Sequence, residues 1–155
     1  MTALTEIFTE QKGWSLTPSA ENFFTSDHVI DAYIQGKKYG LEEKTRLIIK
    51  QLSQNINKSA ENINAIFGVF KEHEIRTISG FLRVNDWEDF DILIVVSEED
   101  YLSEKMLDLY NFIGEFEDKV KEDFYKLSVS IIGVADTFDE GCVSSDGYIF
   151  KHNVL

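Results

Sequence analysis

"VNDWEDFDILIVVSEED", residues 84–100, places four acids directly before the most apolar run of the chain. The apolar part, residues 92–96, is a short run rich in β-branched side chains, and this pattern predicts a buried strand. The acidic part, residues 86–91, supports two interpretations. Its carboxylates either form a metal-binding site or belong to a polar turn that leads into the strand.

Three further segments have the composition of strands. Residues 74–84, "EIRTISGFLRV", are rich in Ile, Thr, Phe and Val, and only residues 85–89 separate them from the buried strand. Five residues is the length of a hairpin connection, so we expect two antiparallel neighbours. Residues 125–134, "YKLSVSIIGV", alternate apolar and polar side chains, which indicates a third strand. The stretch "SSDGYIFK", residues 144–151, predicts a turn followed by a last short strand.

Apolar residues at helical spacing predict three helices. The first covers residues 26–36, the second residues 41–70 and the third residues 101–120. The centre of the second helix, "NINKSAEN" (residues 55–62), contains Asn and Ser, which are poor residues for a helix interior. One continuous helix and two shorter helices therefore both remain open for this segment.

The order of these elements predicts an α+β fold. We expect N-terminal helices followed by a small, mostly antiparallel sheet of about four strands, with a long helix between the second and third strands. The length of 155 residues predicts a single domain over residues 1–155. Residues 1–25 are expected to form an N-terminal arm docked on the body, because exposing large apolar side chains such as Trp14 costs roughly 1.5–3 kcal/mol each.

The composition excludes several classes of protein. Cys142 is the only cysteine, which excludes an intrachain disulfide and a zinc site of clustered cysteines. The first residues lack the basic start and apolar core of a signal peptide, and no apolar run has the length of a membrane-spanning helix. We therefore expect a cytoplasmic protein with no membrane partner.

Charge is unevenly distributed along the chain. The sequence has 15 Lys and Arg against 28 Asp and Glu, a net charge of -13, which argues against a nucleic-acid partner because phosphate is also negative. Residues 86–123 contain fourteen acids and three Lys, a net charge of -11, whereas residues 36–58 contain six Lys and Arg and two Glu, a net charge of +4. The two regions either face each other or water, or the acidic region attracts a basic partner or metal ions.

Asp89 and Asp91 are two residues apart, so a strand would present both carboxylates on one side. Such a pair can hold Mg²⁺ together with phosphate oxygens of a substrate. A strand containing Ser79-Gly80, followed by Asp89-Phe90-Asp91, the run "ILIVV" and a helix, resembles the core of the minimal nucleotidyltransferases. The resemblance implies a metal–nucleotide site, with Mg²⁺ as the cofactor and the two aspartates as its ligands.

The sequence departs from that family's pattern at two points. The family has Gly before Ser at the end of the first strand, whereas the order here is Ser79-Gly80. The family's third catalytic acid lies in a later strand, and residues 127–134 contain no acid. A degenerate nucleotidyltransferase-like domain is therefore the alternative prediction, and the leading prediction is a protein with no catalytic residue and no cofactor.

Trp87 lies between acids at the tip of the predicted hairpin. Because Trp is enriched at binding hot spots, Trp87 either anchors a partner or folds back onto the sheet edge. The helix over residues 41–70 would be about 45 Å long, more than a small sheet covers, which favours self-association near Tyr39 and Ile48. We thus predict a non-catalytic protein-binding domain whose partner is another protein or a second copy. Its predicted binding residues are Trp87, Asp89 and Asp91.

Overall fold

The described part of the chain combines strands and helices. The computed structural model describes residues 13–16, 42–135 and 138–152. In chain order, its elements are β1 (Trp14–Leu16), α1 (Glu42–Glu72), β2 (Thr77–Asp86), β3 (Asp89–Ser97), α2 (Glu98–Tyr101), α3 (Lys105–Val120), β4 (Lys126–Val134), α4 (Glu140–Ser145) and β5 (Phe150–His152). The first predicted helix, residues 26–36, lies outside the described residues, as does Tyr39.

The strands form one sheet in the order β1-β5-β2-β3-β4. β2 and β3 are antiparallel, which confirms the predicted hairpin, and their turn is only residues 87–88 because Asp86 is opposite Asp89. β5 is antiparallel to both β1 and β2. β4 runs parallel to β3 over its whole length, so the sheet is mixed.

The predicted fold class is wrong. Over the described residues the sheet has five strands and is mixed, and the long helix α1 lies between β1 and β2, whereas a tight turn joins β2 to β3. A strand of three residues is too short to show alternation, so the sequence pattern places residues 14–16 in the arm. The parallel pair forms because α2 and α3 cross over from the end of β3 to the start of β4, and a strand reached through such a crossover can run parallel to its neighbour.

The two faces of the sheet bury different clusters of apolar side chains. The larger cluster lies under α1 and α3, and alternate residues of β3 such as Ile92 and Ile94 point into it. The smaller cluster lies on the opposite face and consists of Phe81, Leu93, Val95, Val143 and Tyr148. Residues 92–96 are all at most 7% exposed, which confirms the predicted buried strand.

α1 is one continuous helix of 31 residues, so its polar centre does not break it. Ser59 is fully buried, and its Oγ lies 2.9 Å from the hydroxyl of Tyr125. Asn62 Nδ2 donates to the same hydroxyl at 3.0 Å. Buried polar groups require hydrogen-bond partners. Ser59 and Asn62 share Tyr125, the residue directly before β4, as such a partner.

The predicted N-terminal arm is described only at residues 13–16. Trp14 is 2% exposed and its Nε1 donates to the carbonyl of Ile56 at 3.1 Å, so this part of the arm does dock on α1. The assignment of residues 1–155 to a single domain stays a prediction. No helix within the described ranges is both long enough and apolar enough to cross a membrane.

Candidate functional site

Asp91 is bound by neighbouring side chains of the hairpin. It is opposite Arg83 in the register of β2 and β3. Its Oδ2 accepts hydrogen bonds from Arg83 Nε at 3.1 Å, from Arg83 Nη2 and from Asn85 Nδ2 at 2.9 Å. The bond to Asp91 raises the pKa of the Arg83 guanidinium. Asp91 is thus the counter-ion of Arg83, and binding Mg²⁺ through Oδ2 would displace those donors.

Asp89 lies two residues earlier in β3 and borders a small cavity of about 280 Å³. In β4, Lys126 is opposite Asp89 and Ser128 is opposite Asp91, so β4 supplies no carboxylate at these positions. Among residues 13–16, 42–135 and 138–152, no group of three His, Cys, Asp or Glu side chains is placed to hold a metal ion. The Mg²⁺ alternative rests on Asp89 and Asp91 alone and stays a prediction.

A larger cavity, of about 630 Å³, lies beside the smaller apolar cluster and is bordered by Arg83. Arg83 Nη1 donates to the carbonyl of Asp146 at 3.2 Å, and the guanidinium lies 4.8 Å from the centre of the Tyr148 ring. Cys142 Sγ donates to Asp139 Oδ2 at 3.5 Å, and this bond raises the pKa of the thiol. The Arg83 guanidinium and the Cys142 thiol therefore already have partners within the chain.

A third concave surface surrounds Trp87. Trp87 lies in the β2–β3 turn and packs on Phe124, which follows α3, with ring centroids 5.8 Å apart and ring planes at 31°. These two residues and the first half of α1 border an open groove of about 610 Å³. We call it the Trp87 groove. Its lining residues are Lys44, Leu47, Ile48, Lys50, Gln51, Gln54, Trp87 and Phe124.

Asn55 joins the three chain segments that form the Trp87 groove. It lies in the interior of α1 and is fully buried. Its Nδ2 donates to the carbonyl of Trp87 at 2.9 Å and to the carbonyl of Phe124 at 2.8 Å. Its Oδ1 accepts from Gln51 Nε2 at 2.9 Å. One side chain therefore fixes the backbone of both aromatic residues, which reduces the ordering cost when a partner binds.

The Trp87 groove exposes apolar surface next to positive charge. Leu47 is 60% exposed and Phe124 is 55% exposed, which are high values for large apolar side chains. Lys44 and Lys50 line the groove, and among the residues that the structure describes no Asp or Glu does, although the chain has a net charge of -13. The groove is thus suited to an apolar side chain with negative charge beside it.

The three predicted binding residues border different surfaces in the structure. Trp87 lines the groove, whereas Asp91 pairs with Arg83 and Asp89 borders a different cavity. Ile48, near which the sequence predicts self-association, is only 7% exposed. Its exposed neighbour is Leu47.

Three residues of the groove region were not predicted from the sequence: Leu47, Asn55 and Phe124. For Asn55 a signal was present, because it lies three residues after Leu52 on the apolar face of α1, where a polar side chain needs a buried partner. Phe124 had no such signal, because acids and lysines surround it in the sequence. No family model, no curated protein and no solved structure matches the chain.

Proposed function

We propose that this protein is a non-catalytic protein-binding domain of the cytoplasm and that the Trp87 groove is its docking site. The observation that supports this most directly is the exposure of Leu47 and Phe124 around Trp87. Burying the exposed apolar surface of these side chains is favourable, at about 25 cal/mol per Å². Trp is also among the residues that most often dominate binding energy at interfaces.

The chemistry of the groove defines the segment that it would bind. The apolar floor fits one or two large apolar side chains, and the lysines at its edge favour Asp or Glu next to them. Charged groups at an interface rim mainly give specificity and faster association, whereas buried apolar anchors give most of the affinity. The expected partner is therefore an acidic amphipathic segment of another protein chain.

A random peptide library displayed on phage tests this proposal, because such a library samples many peptide sequences at once. The immobilised protein is the bait, and peptides that also bind the Trp87→Ser variant are removed. We expect the retained peptides to combine large apolar residues with neighbouring acids. Measured by fluorescence anisotropy, Leu47→Ser, a variant not used in the selection, should weaken the binding of a retained peptide by about tenfold or more, the range expected for anchor residues.

Ile78→Ser is the matched control, because Ile78 is 48% exposed and does not line the groove. This variant should bind the peptides as the wild type does. Peptides without an acidic bias, or peptides whose affinity is equal for the wild type and the Leu47 variant, would contradict the proposal.

A further inference from the structure

Exposed apolar side chains concentrate in two places. Among the described residues, six large hydrophobic ones are exposed, and two of these belong to the Trp87 groove. Three others follow one another in the segment from α2 to α3: Leu102, Leu107 and Tyr110, which are 74%, 69% and 45% exposed. Single exposed apolar residues are ordinary on a protein surface, but grouped ones mark interaction surfaces.

Leu107 and Tyr110 lie on the side of α3 that faces away from the core. They are three residues apart and thus neighbours on the helix surface. The buried residues of α3 are Met106, Leu109 and Ile113. We call the exposed side, with Leu107, Tyr110 and Gly114, the α3 ridge. A methyl group on Gly114 would have no neighbour within 4 Å, so another molecule can approach the ridge closely.

The acids beside the α3 ridge match the lysines of the Trp87 groove. Asp108 and Glu115 are both exposed and seven residues apart, which places them on one side of α3 at a spacing of about 10 Å. Lys44 and Lys50 are also exposed and six residues apart, about 9 Å along α1, with Leu47 midway between them. The two surfaces therefore combine apolar residues with paired charges of opposite sign and similar spacing.

We propose that the α3 ridge of one copy of the protein docks in the Trp87 groove of a second copy. The apolar residues of the ridge then contact the aromatic residues of the groove, and its acids face the two lysines. This inference rests on the proposed docking role of the groove and names a second copy as its occupant.

The contact has to form between two copies. Leu107 precedes Val120, the last residue of α3, by thirteen residues, which is about 20 Å of rigid helix. Phe124 of the groove comes shortly after that helix end. A ridge so far from its own groove cannot reach it. Each copy carries both surfaces. The contacts are therefore either reciprocal, which closes a dimer, or open-ended, which builds a filament of many copies.

Charge reversal on each surface separately gives a sharp test. The groove variant is Lys44→Glu with Lys50→Glu, and the ridge variant is Asp108→Lys with Glu115→Lys. Sedimentation velocity at low and high micromolar concentration should show concentration-dependent association of the wild type. Each variant alone should associate at least about tenfold more weakly, because like charges then face each other. A mixture of the two variants should associate again, because every contact between them pairs opposite charges.

A control variant separates this effect from a change in net charge. Lys71→Glu with Arg76→Glu makes the same change as the groove variant at exposed positions outside both surfaces, and it should associate like the wild type. Leu107→Ser tests the apolar part of the ridge without changing charge and should also weaken association. Melting curves check that each variant folds.

Three results would overturn the inference: a wild type that stays monomeric at high micromolar concentration, association that neither charge reversal changes, or a mixture that does not regain association. A monomeric wild type would not contradict the docking role of the groove, provided that selected peptides still bind there. Failure of the peptides together with persistent self-association through other residues would overturn both proposals.

Discussion

Asn55 shows how one buried polar residue can organise a surface. A buried amide must find partners for its donors and its acceptor, and Asn55 finds them in two backbone carbonyls and one glutamine side chain. The carbonyls belong to Trp87 and Phe124, so the geometry of the groove follows from the hydrogen-bonding needs of a residue beneath it. Asn55 is thus a positioning residue that need not touch the partner.

Replacing Asn55 by Leu should lower the free energy of unfolding by about 2–4 kcal/mol. The change leaves the partly buried carbonyls of Trp87 and Phe124 without their donor, and an unsatisfied group costs roughly 1–3 kcal/mol when it is shielded from water. Urea unfolding followed by circular dichroism measures the loss. Asn57→Leu makes the same substitution at an exposed position of α1 and should change stability little. Equal effects of the two substitutions would refute the role of Asn55.

His152 is a second residue whose environment has a measurable consequence. It is 5% exposed, its Nε2 lies 2.9 Å from Asn64 Oδ1, and its ring lies against the rings of Trp14 and Phe67. Burial lowers the pKa of His152, and the nearby backbone of Gly13 opposes part of that shift. The unfolded chain therefore takes up a proton at this residue more readily than the folded chain does.

Stability should consequently fall as the pH drops below about 6.5, the ordinary pKa of histidine. Above that pH the imidazole is neutral in both states and the contribution of His152 is fully present. Urea unfolding between pH 7.5 and pH 5.5 measures the effect, and His152→Gln should reduce it. Burial raises the pKa of Glu117, which titrates in the opposite sense, so the difference between variant and wild type isolates the histidine. An identical pH profile for both proteins would contradict the prediction.

At the scale of elements, α1 packs on the sheet along one face and leaves the other in water. Gly68 and Gly80 illustrate the two environments. Gly68 lies on the exposed side of α1, where a methyl group would have no neighbour within 4 Å. Gly80 lies in β2 beneath α1, where the same methyl group would collide with Ile63 Cδ1 and lie 3.0 Å from Phe67 Cζ.

Alanine at these two positions should therefore have opposite effects. Gly68→Ala should raise the free energy of unfolding by about 0.5–1 kcal/mol, because Gly costs conformational entropy inside a helix. Gly80→Ala should lower it by about 1–3 kcal/mol through overpacking. Thermal and urea unfolding of both variants give the comparison. A stable Gly80 variant would mean that α1 can shift away from β2.

The sequence predicts those elements whose own residues show a distinctive composition or spacing. The run at residues 92–96 and the apolar spacing of α3 identify a strand and a helix without reference to the rest of the fold. β1 could not be predicted, because it is a strand only through its pairing with β5. The continuity of α1 likewise depended on Tyr125, a partner 66 residues from Ser59.

For the whole molecule, the distribution of charge is easier to predict from the sequence than the position of the Trp87 groove. Residues that share a sign can be counted in the sequence, and the lysines of the basic region do border the groove. The site itself is assembled from α1, the β2–β3 turn and the segment after α3. Asn55 is 32 residues from Trp87 and 69 residues from Phe124, and no local pattern brings such distant positions together.

The place of β5 in the sheet sets the order in which the chain can fold as it is made. β5 lies between β1 and β2 although it comes last in sequence among the described strands. When residues 14–16 leave the ribosome, their partner strand β5 has not yet been synthesised. β1 therefore cannot pair with β5 until the rest of the chain has emerged. All segments of the Trp87 groove precede β4 and are already available at that stage. The residues of the groove are therefore synthesised before the strand that closes the sheet.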